Sequence, residues 1–262
     1  MTTFILVPGA MYPGWVWHAV VPILELAGHD AIPVDLPGTE PHSSLAPKDI
    51  TLQLWIDHIA GLAARCRTRV ILVGHSRGGH LIGEVAERNP ELIAGLIYVT
   101  AALSTPGQTM FATISAGQPE IMPVPEGDSF RVPDDYAANL LLDRCNPSIR
   151  SEAISRLYAE PLGPGKTPSN VTWERWGRVP RAFVECSADR SLTLQRQRAM
   201  QAATPCQEVM TIDADHSPFL SNPQALAASL LELEQRFRST ASAASPSGSD
   251  QGSPERSTSD IG

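Results

Sequence analysis

Short, wholly apolar runs separated by stretches with helical spacing organise the first hundred residues. Phe4-Ile5-Leu6-Val7 is the first run, and it stops at Pro8-Gly9-Ala10. Ala31 to Val34, Val70-Ile71-Leu72-Val73 and Leu96-Ile97-Tyr98-Val99 follow it. Four apolar positions in a row leave no polar face for water. Each run therefore reads as a strand buried on both sides of a parallel sheet. Between the runs the period changes. Trp17, Val20, Val21 and Leu24 recur at helical spacing from Trp15 to Ala27, Gly28 is placed to stop that helix, and Pro22 predicts a kink or a later start. Further helices are predicted from Leu52 to Cys66 and from Gly79 to Asn89. Strands alternating with amphipathic helices specify an α/β fold, a mostly parallel sheet covered by helices on both faces.

The alternation breaks after Thr100. Prolines recur from Ala101 to Arg178, with apolar side chains between them and two short helices predicted. One follows Pro133-Asp134-Asp135. The other has Asn146 as N-cap and Pro147 at its first position. An insertion of this length between strands is uncommon unless it has a function. The pattern then resumes with Ala182–Cys186, a helix near Thr193–Ala203, strand Glu208–Ile212 and a final helix from Pro223 to Phe237. The chain divides accordingly into a core (1–100 and 179–238), a cap inserted at 101–178, and a tail at 239–262 whose Ser, Gly, Pro and charged residues predict disorder.

Composition narrows the function classes. The 262 residues carry a net charge of −8 and no cluster of Lys or Arg, which argues against nucleic acid or an anionic membrane as partner. Cys66, Cys145, Cys186 and Cys206 are scattered without metal-ligand spacing, so no metal is expected and reduced thiols are. Met1-Thr2-Thr3 runs straight into a strand, without a basic leader or a long apolar segment. A cytoplasmic enzyme acting on a small molecule is the expectation.

The candidate chemistry starts at Gly74-His75-Ser76-Arg77-Gly78, which fits G-x-S-x-G with a strand before it and a helix after it. That context turns a common motif into a nucleophile elbow, a sharp turn that projects the Ser76 hydroxyl above the sheet at a helix N-terminus. A serine nucleophile needs a base and a carboxylate to orient the base. Among the seven histidines, His75 lies inside the elbow and is expected to point away. His58 and His80 read as structural or surface residues, and His18, His29 and His42 belong to early helices and loops. His216 stands just after the last strand, in Asp213-Ala214-Asp215-His216-Ser217-Pro218, at the carboxyl edge where open α/β sheets place their sites. Asp189, in the loop after Ala182–Cys186, is the preferred acid, since Asp213 and Asp215 are too near His216 to reach the far side of its ring. The order Ser76, Asp189, His216 is the one that an elbow of this kind uses.

An oxyanion needs two N–H donors. Arg77, following the nucleophile, and Ala10 in the first turn are the candidates, with Met11 as alternative to Ala10. The Arg77 cation opposes the dipole of the helix it begins, so a purely local reason for it is weak. Its guanidinium is read as gripping a carboxylate on the substrate or on the cap, against pairing with a surface acid. Met11, Arg77, Phe111, Met122, Phe130, Tyr136, Trp173 and Trp176 are the candidates for a partly aromatic substrate pocket, although each is also explained by packing between cap and core.

These residues resemble the α/β-hydrolase superfamily. More narrowly, the chain is similar to the small esterases grouped with plant methylesterases, hydroxynitrile lyases and bacterial pyrethroid-type hydrolases. The carrying segments are Phe4–Ala10, Trp15-Val16-Trp17, Asp35-Leu36-Pro37-Gly38, the elbow, and Asp213–Pro223, and the likeness runs from Met1 to about Arg238. The resemblance implies Ser76, Asp189 and His216 as triad, Ala10 and Arg77 as oxyanion donors, and no cofactor. Two positions depart from it. Pro8-Gly9-Ala10 stands where many relatives have His-Gly-X, and Arg77 replaces the apolar residue or Gln usual after the nucleophile. Lyases of the group carry a lysine after the histidine and a threonine in the first turn. Ser217 and Gly9 occupy those positions here, which argues against lyase chemistry. A carboxylic-ester hydrolase of small to medium apolar or aromatic substrates is the expectation. Lactonase or amidase activity would use the same machinery, and a non-catalytic receptor would retain only the pocket.

Overall fold

The six apolar runs lie side by side in one sheet. In the computed structural model, which describes residues 1–39, 43–103, 105–115 and 126–244, they are β1 (Thr3–Val7), β2 (Asp30–Pro33), β3 (Val70–His75), β4 (Ile93–Val99), β7 (Arg181–Cys186) and β8 (Glu208–Ile212). Two short strands, β5 (Ser129–Phe130) and β6 (Glu160–Pro161), pair antiparallel within the insertion. The large sheet has the order β2-β1-β3-β4-β7-β8, and every neighbouring pair is parallel.

Parallel strands explain why the runs are apolar throughout. Phe4 and Leu6 of β1 face one side, with Trp17 and the final helix, while Ile5 and Val7 face the other, with Trp55 and the helices behind the elbow. Both faces are dry, and each such side chain contributes about 1.5–3 kcal/mol by leaving water. Only the edge strands relax the pattern. In β8, Val209 is exposed and burial alternates, because no strand lies beyond it.

The helices differ from expectation at two places. The segment predicted as one helix from Trp15 is a 3-10 turn, Gly14–Ala19, followed by α1 (Val21–Leu26). Pro22 falls in the first turn of α1, where its missing N–H has no intrahelical partner to lose. The last helix runs Pro223–Ala244, past the predicted Phe237 and into the predicted tail. Residues 245–262 of that tail lie outside the described residues. Helices α2 (Leu52–Ala64) and α3 (Gly78–Arg88) match their patterns closely.

Between β4 and β7 the chain leaves the sheet. It forms α4 (Met110–Ser115), the β5–β6 pair, a turn of π-helix at Ala137–Leu141 and the helix Pro147–Arg156, whose N-cap Asn146 accepts from the Ser148 N–H at 3.0 Å. Among the described residues, no helix is long and apolar enough to cross a membrane.

Because the strands are parallel, their carboxyl ends share one edge. Val7 lies beside Gly74, His75 beside Val99, and Cys186 beside Ile212. The loops carrying Ala10, Ser76, Thr100, Asp189 and His216 leave from that edge together.

Candidate active site

Ser76 occupies the turn between β3 and α3 with φ +50°, a left-handed conformation that serine adopts only under constraint. The flanking glycines make the turn possible. A Cβ on Gly74 would lie 2.6 Å from the Gly78 carbonyl oxygen, and one on Gly78 would lie 2.6 Å from the Val7 carbonyl oxygen. The strand, the turn and the neighbouring strand are closer than any side chain would allow.

The structure brings Ser76, His216 and Asp189 into one hydrogen-bonded line. Ser76 Oγ lies 3.1 Å from His216 Nε2, and His216 Nδ1 lies 2.6 Å from Asp189 Oδ2. Nδ1 must carry a proton to bond a carboxylate, which leaves the Nε2 lone pair facing the serine. Burial alone would push the His216 pKa down. The Asp189 carboxylate beside it, their hydrogen bond and the nearby Asp215 charge outweigh burial and hold it above its ordinary 6.5.

Asp189 is itself fixed on every side. Its Oδ1 accepts from the N–H groups of Ser191 and Leu192 at 2.8 Å, and its Oδ2 accepts from Thr100 Oγ1 at 2.5 Å. Thr100 is buried at the end of β4 with φ +36°, a genuine outlier for a β-branched residue. Nothing in the apolar run that ends at Val99 marks it in sequence. His75 was also missed. Rather than pointing away from the site, it is fully buried and its Nε2 donates to the His216 carbonyl oxygen at 2.7 Å. Burial and the neighbouring His216 keep its pKa well below the usual histidine value, so it serves as a neutral donor that holds the histidine loop.

The other candidates fall away from this line. Asp215 is buried but turns into its own loop, accepting from Ser217 N–H, Ser221 Oγ and Arg144 N–H. Asp213 is solvent-facing and pairs with Arg144. His18 stacks on Trp15, and His29 packs edge-on against Phe4. His80 is buried in α3, where burial and the Arg77 charge lower its pKa to about 4. His42 lies outside the described residues. Ser217, at the position where lyases carry lysine, is buried with its hydroxyl 2.9 Å from Tyr12 Oη.

Around the first turn the two alternatives for the oxyanion donor separate. The Met11 N–H donates to Glu160 Oε2 at 2.8 Å and is therefore engaged. Ala10 lines the pocket beside Ser76 and remains the candidate in this turn, together with the Arg77 N–H, which sits at a helix start where backbone donors lack intrahelical partners. The Arg77 side chain does not extend into the pocket as a substrate ligand. Its guanidinium is 1 % exposed, stacks over Trp55, donates to the Gly9 and Pro8 carbonyl oxygens, and pairs with Glu160 of β6 at 3.2 Å. Of the two sequence alternatives for its carboxylate partner, the insertion supplies it.

A pocket opens over Ser76 and His216, with Met11 on one wall and Phe111, Phe130, Val132, Tyr136 and Leu141 of the insertion on the others. Trp173 and Trp176 do not belong to it. Trp173 is half exposed and packs on Trp176, which is buried against Tyr98 and Arg181 behind α3. Glu87 of α3 holds that segment by accepting from the N–H groups of Thr172 and Trp176. Met122 lies outside the described residues.

The chain is similar to known proteins. A model of the alpha/beta hydrolase family matches residues 4–229. The chain is 30% identical to a pyrethroid hydrolase of Sphingobium wenxiniae over 98% of both chains, and 31% identical to salicylic acid-binding protein 2 of Nicotiana tabacum over 89% of this chain and 97% of that one. Among solved structures, a pyrethroid hydrolase from Sphingobium faniae superposes with a TM-score of 0.79 at 27% identity, covering 89% of this chain and 97% of that one.

Proposed function

Since the chain belongs to the alpha/beta hydrolase family, we propose that it is a serine hydrolase cleaving carboxylic esters of small to medium, uncharged apolar or aromatic molecules. The observation that carries this reading is the line from Ser76 Oγ through His216 to Asp189 beneath an apolar pocket. Relatives named as a pyrethroid hydrolase and methylesterases support it.

The reaction follows from the geometry. His216 Nε2 accepts the Ser76 proton as Oγ attacks the ester carbonyl carbon. The imidazolium so formed is stabilised by Asp189, and the carbonyl oxygen, now anionic, is held by the Ala10 and Arg77 N–H groups. When the carbon–oxygen bond to the alcohol breaks, the imidazolium returns the proton to the leaving oxygen. Water then enters, loses a proton to His216, and cleaves the acyl-enzyme to release the acid and regenerate Ser76. No cofactor takes part.

The described part of residues 101–178 acts as a cap that supplies half of the residues lining the pocket. With the Arg77 guanidinium engaged by Glu160, no other Lys or Arg among the described residues lines the pocket to receive an anionic acyl group, which favours neutral esters. All four cysteines are free, which fits a reducing, cytoplasmic compartment. The test is hydrolysis of p-nitrophenyl esters from acetate to decanoate by wild type and Ser76→Ala. A burst of nitrophenol that the variant lacks is expected, and equal slow release from both proteins would overturn the reading.

A further inference from the structure

We infer that Arg77 and Glu160 are positioning residues that set the oxyanion-binding turn, so that the cap completes the catalytic site rather than only covering it. Both roles presuppose that Ser76 is the nucleophile, as proposed above.

The turn Gly9–Met11 is held from three directions. Arg77, one residue after the nucleophile, donates to the Gly9 carbonyl oxygen at 2.7 Å and to the Pro8 carbonyl oxygen at 3.2 Å. Glu160, from β6 of the cap, accepts the Met11 N–H at 2.8 Å. The cap also donates the Tyr158 N–H to the Met11 carbonyl oxygen at 3.1 Å. Met11 is held at φ +66°, a left-handed conformation that a non-glycine residue keeps only when its surroundings impose it. These contacts engage the groups on either side of Ala10, which itself lines the pocket over Ser76.

The two side chains are built for each other. The guanidinium lies flat over Trp55, its Cζ 4.5 Å from the ring centroid, and the pair is 1–2 % exposed. A carboxylate presents two negative oxygens, and Glu160 sets one beside the Arg77 charge while the other accepts the Met11 N–H. An amide cannot do both. A glutamine side chain there that accepts the Met11 N–H turns its own NH2 toward the guanidinium, and the reverse orientation sets two donors against each other at Met11. An oxyanion donor that shifts by a fraction of an ångström loses its grip on the transition state while the apolar pocket still binds substrate.

The experiment uses the full-length enzyme with active sites counted by burst titration, so that kcat is expressed per functional serine. Glu160→Gln, Arg77→Met and Arg77→Lys are compared with wild type. The probes are a p-nitrophenyl ester, a trifluoromethyl ketone whose adduct with Ser76 carries an oxyanion, and the matching secondary alcohol, which fills the pocket without one. Glu160→Gln and Arg77→Met are expected to lower kcat by about 10- to 100-fold, less than outright removal of a donor. The ketone should weaken by the same factor, while KM and alcohol affinity stay within about twofold, the range of a positional change that spares the pocket. Arg77→Lys keeps the charge and a donor for Gly9 and should recover part of the loss. Glu160→Gln is isosteric and keeps the question open if Arg77→Met does not fold. Variants that melt earlier yet keep wild-type kcat per titrated site and ketone affinity would overturn the inference. Wild type without a burst would instead overturn the hydrolytic reading, and this role with it.

Discussion

Replacing Asp189 by asparagine removes the charge of the proposed orienting acid while keeping its shape, and the surroundings decide which way the amide turns. Oδ1 accepts from two backbone N–H groups, those of Ser191 and Leu192. In Asp189→Asn the amide carbonyl oxygen must therefore take that place, which puts the NH2 where Oδ2 now meets Thr100 and His216 Nδ1. The imidazole can then meet the amide only with an unprotonated Nδ1. Its proton moves to Nε2, and the lone pair that faced Ser76 disappears. With the wrong tautomer and no carboxylate to stabilise an imidazolium, kcat should fall by roughly 10,000-fold, about 5 kcal/mol of transition-state stabilisation. The fold should survive, because the Ser191 and Leu192 contacts remain and the Thr100 hydroxyl can turn to accept from the amide. Stopped-flow release of nitrophenol from a p-nitrophenyl ester, paired with thermal melting of the same preparation, reads both quantities. If Asp189→Asn keeps a tenth or more of wild-type kcat at an unchanged melting temperature, Asp189 does not orient His216 and the base is fixed in some other way.

Two further outcomes concern protons. As the proposed base His216 must be neutral, and Asp189 holds its pKa above the ordinary 6.5, so the acid limb of the kcat/KM profile is expected above pH 6.5; a limb below it would mean that burial outweighs Asp189. His80, buried with its pKa lowered to about 4, binds its proton more readily in the unfolded chain. Its contribution to stability is present above pH 6.5 and is lost as pH falls toward 4, by up to about 3 kcal/mol. Urea midpoints at pH 7 and pH 4.5 should thus converge in His80→Gln relative to wild type, and an equal drop in both proteins would assign the acid sensitivity elsewhere.

What the sequence made legible is local. An apolar run that stops at glycine and serine announces strand, elbow and helix, because a two-sided buried strand and a sharp turn each impose their own residue types over five or six positions. The positions of Asp189 and His216 could be read because each follows a strand whose end is predictable. The partner of Arg77 could not be read, since Glu160 lies in a proline-rich segment without periodicity and reaches Arg77 only through the cap fold. Thr100 looked like the end of a strand, and its strained backbone is visible only in three dimensions. Trp173 and Trp176 were candidates on aromatic character alone, which does not separate a pocket wall from the packing behind α3. The final helix outran its apolar pattern because Ala-rich sequence continues a helix without needing a buried face.

Among the described residues, the non-glycine positions with positive φ are Met11, Ser76 and Thr100, one on each of three loops at the site. Each conformation costs about 1–3 kcal/mol, and a change to glycine would relieve it. A library of variants screened only for survival after heating would therefore be drawn to these three codons. The first change would loosen the turn that carries Ala10, the second would delete the proposed nucleophile, and the third would free Asp189. Heat resistance and turnover would part company there before anywhere else in the chain. A campaign to harden this enzyme should hold those positions fixed and look for gains on the outer faces of its helices.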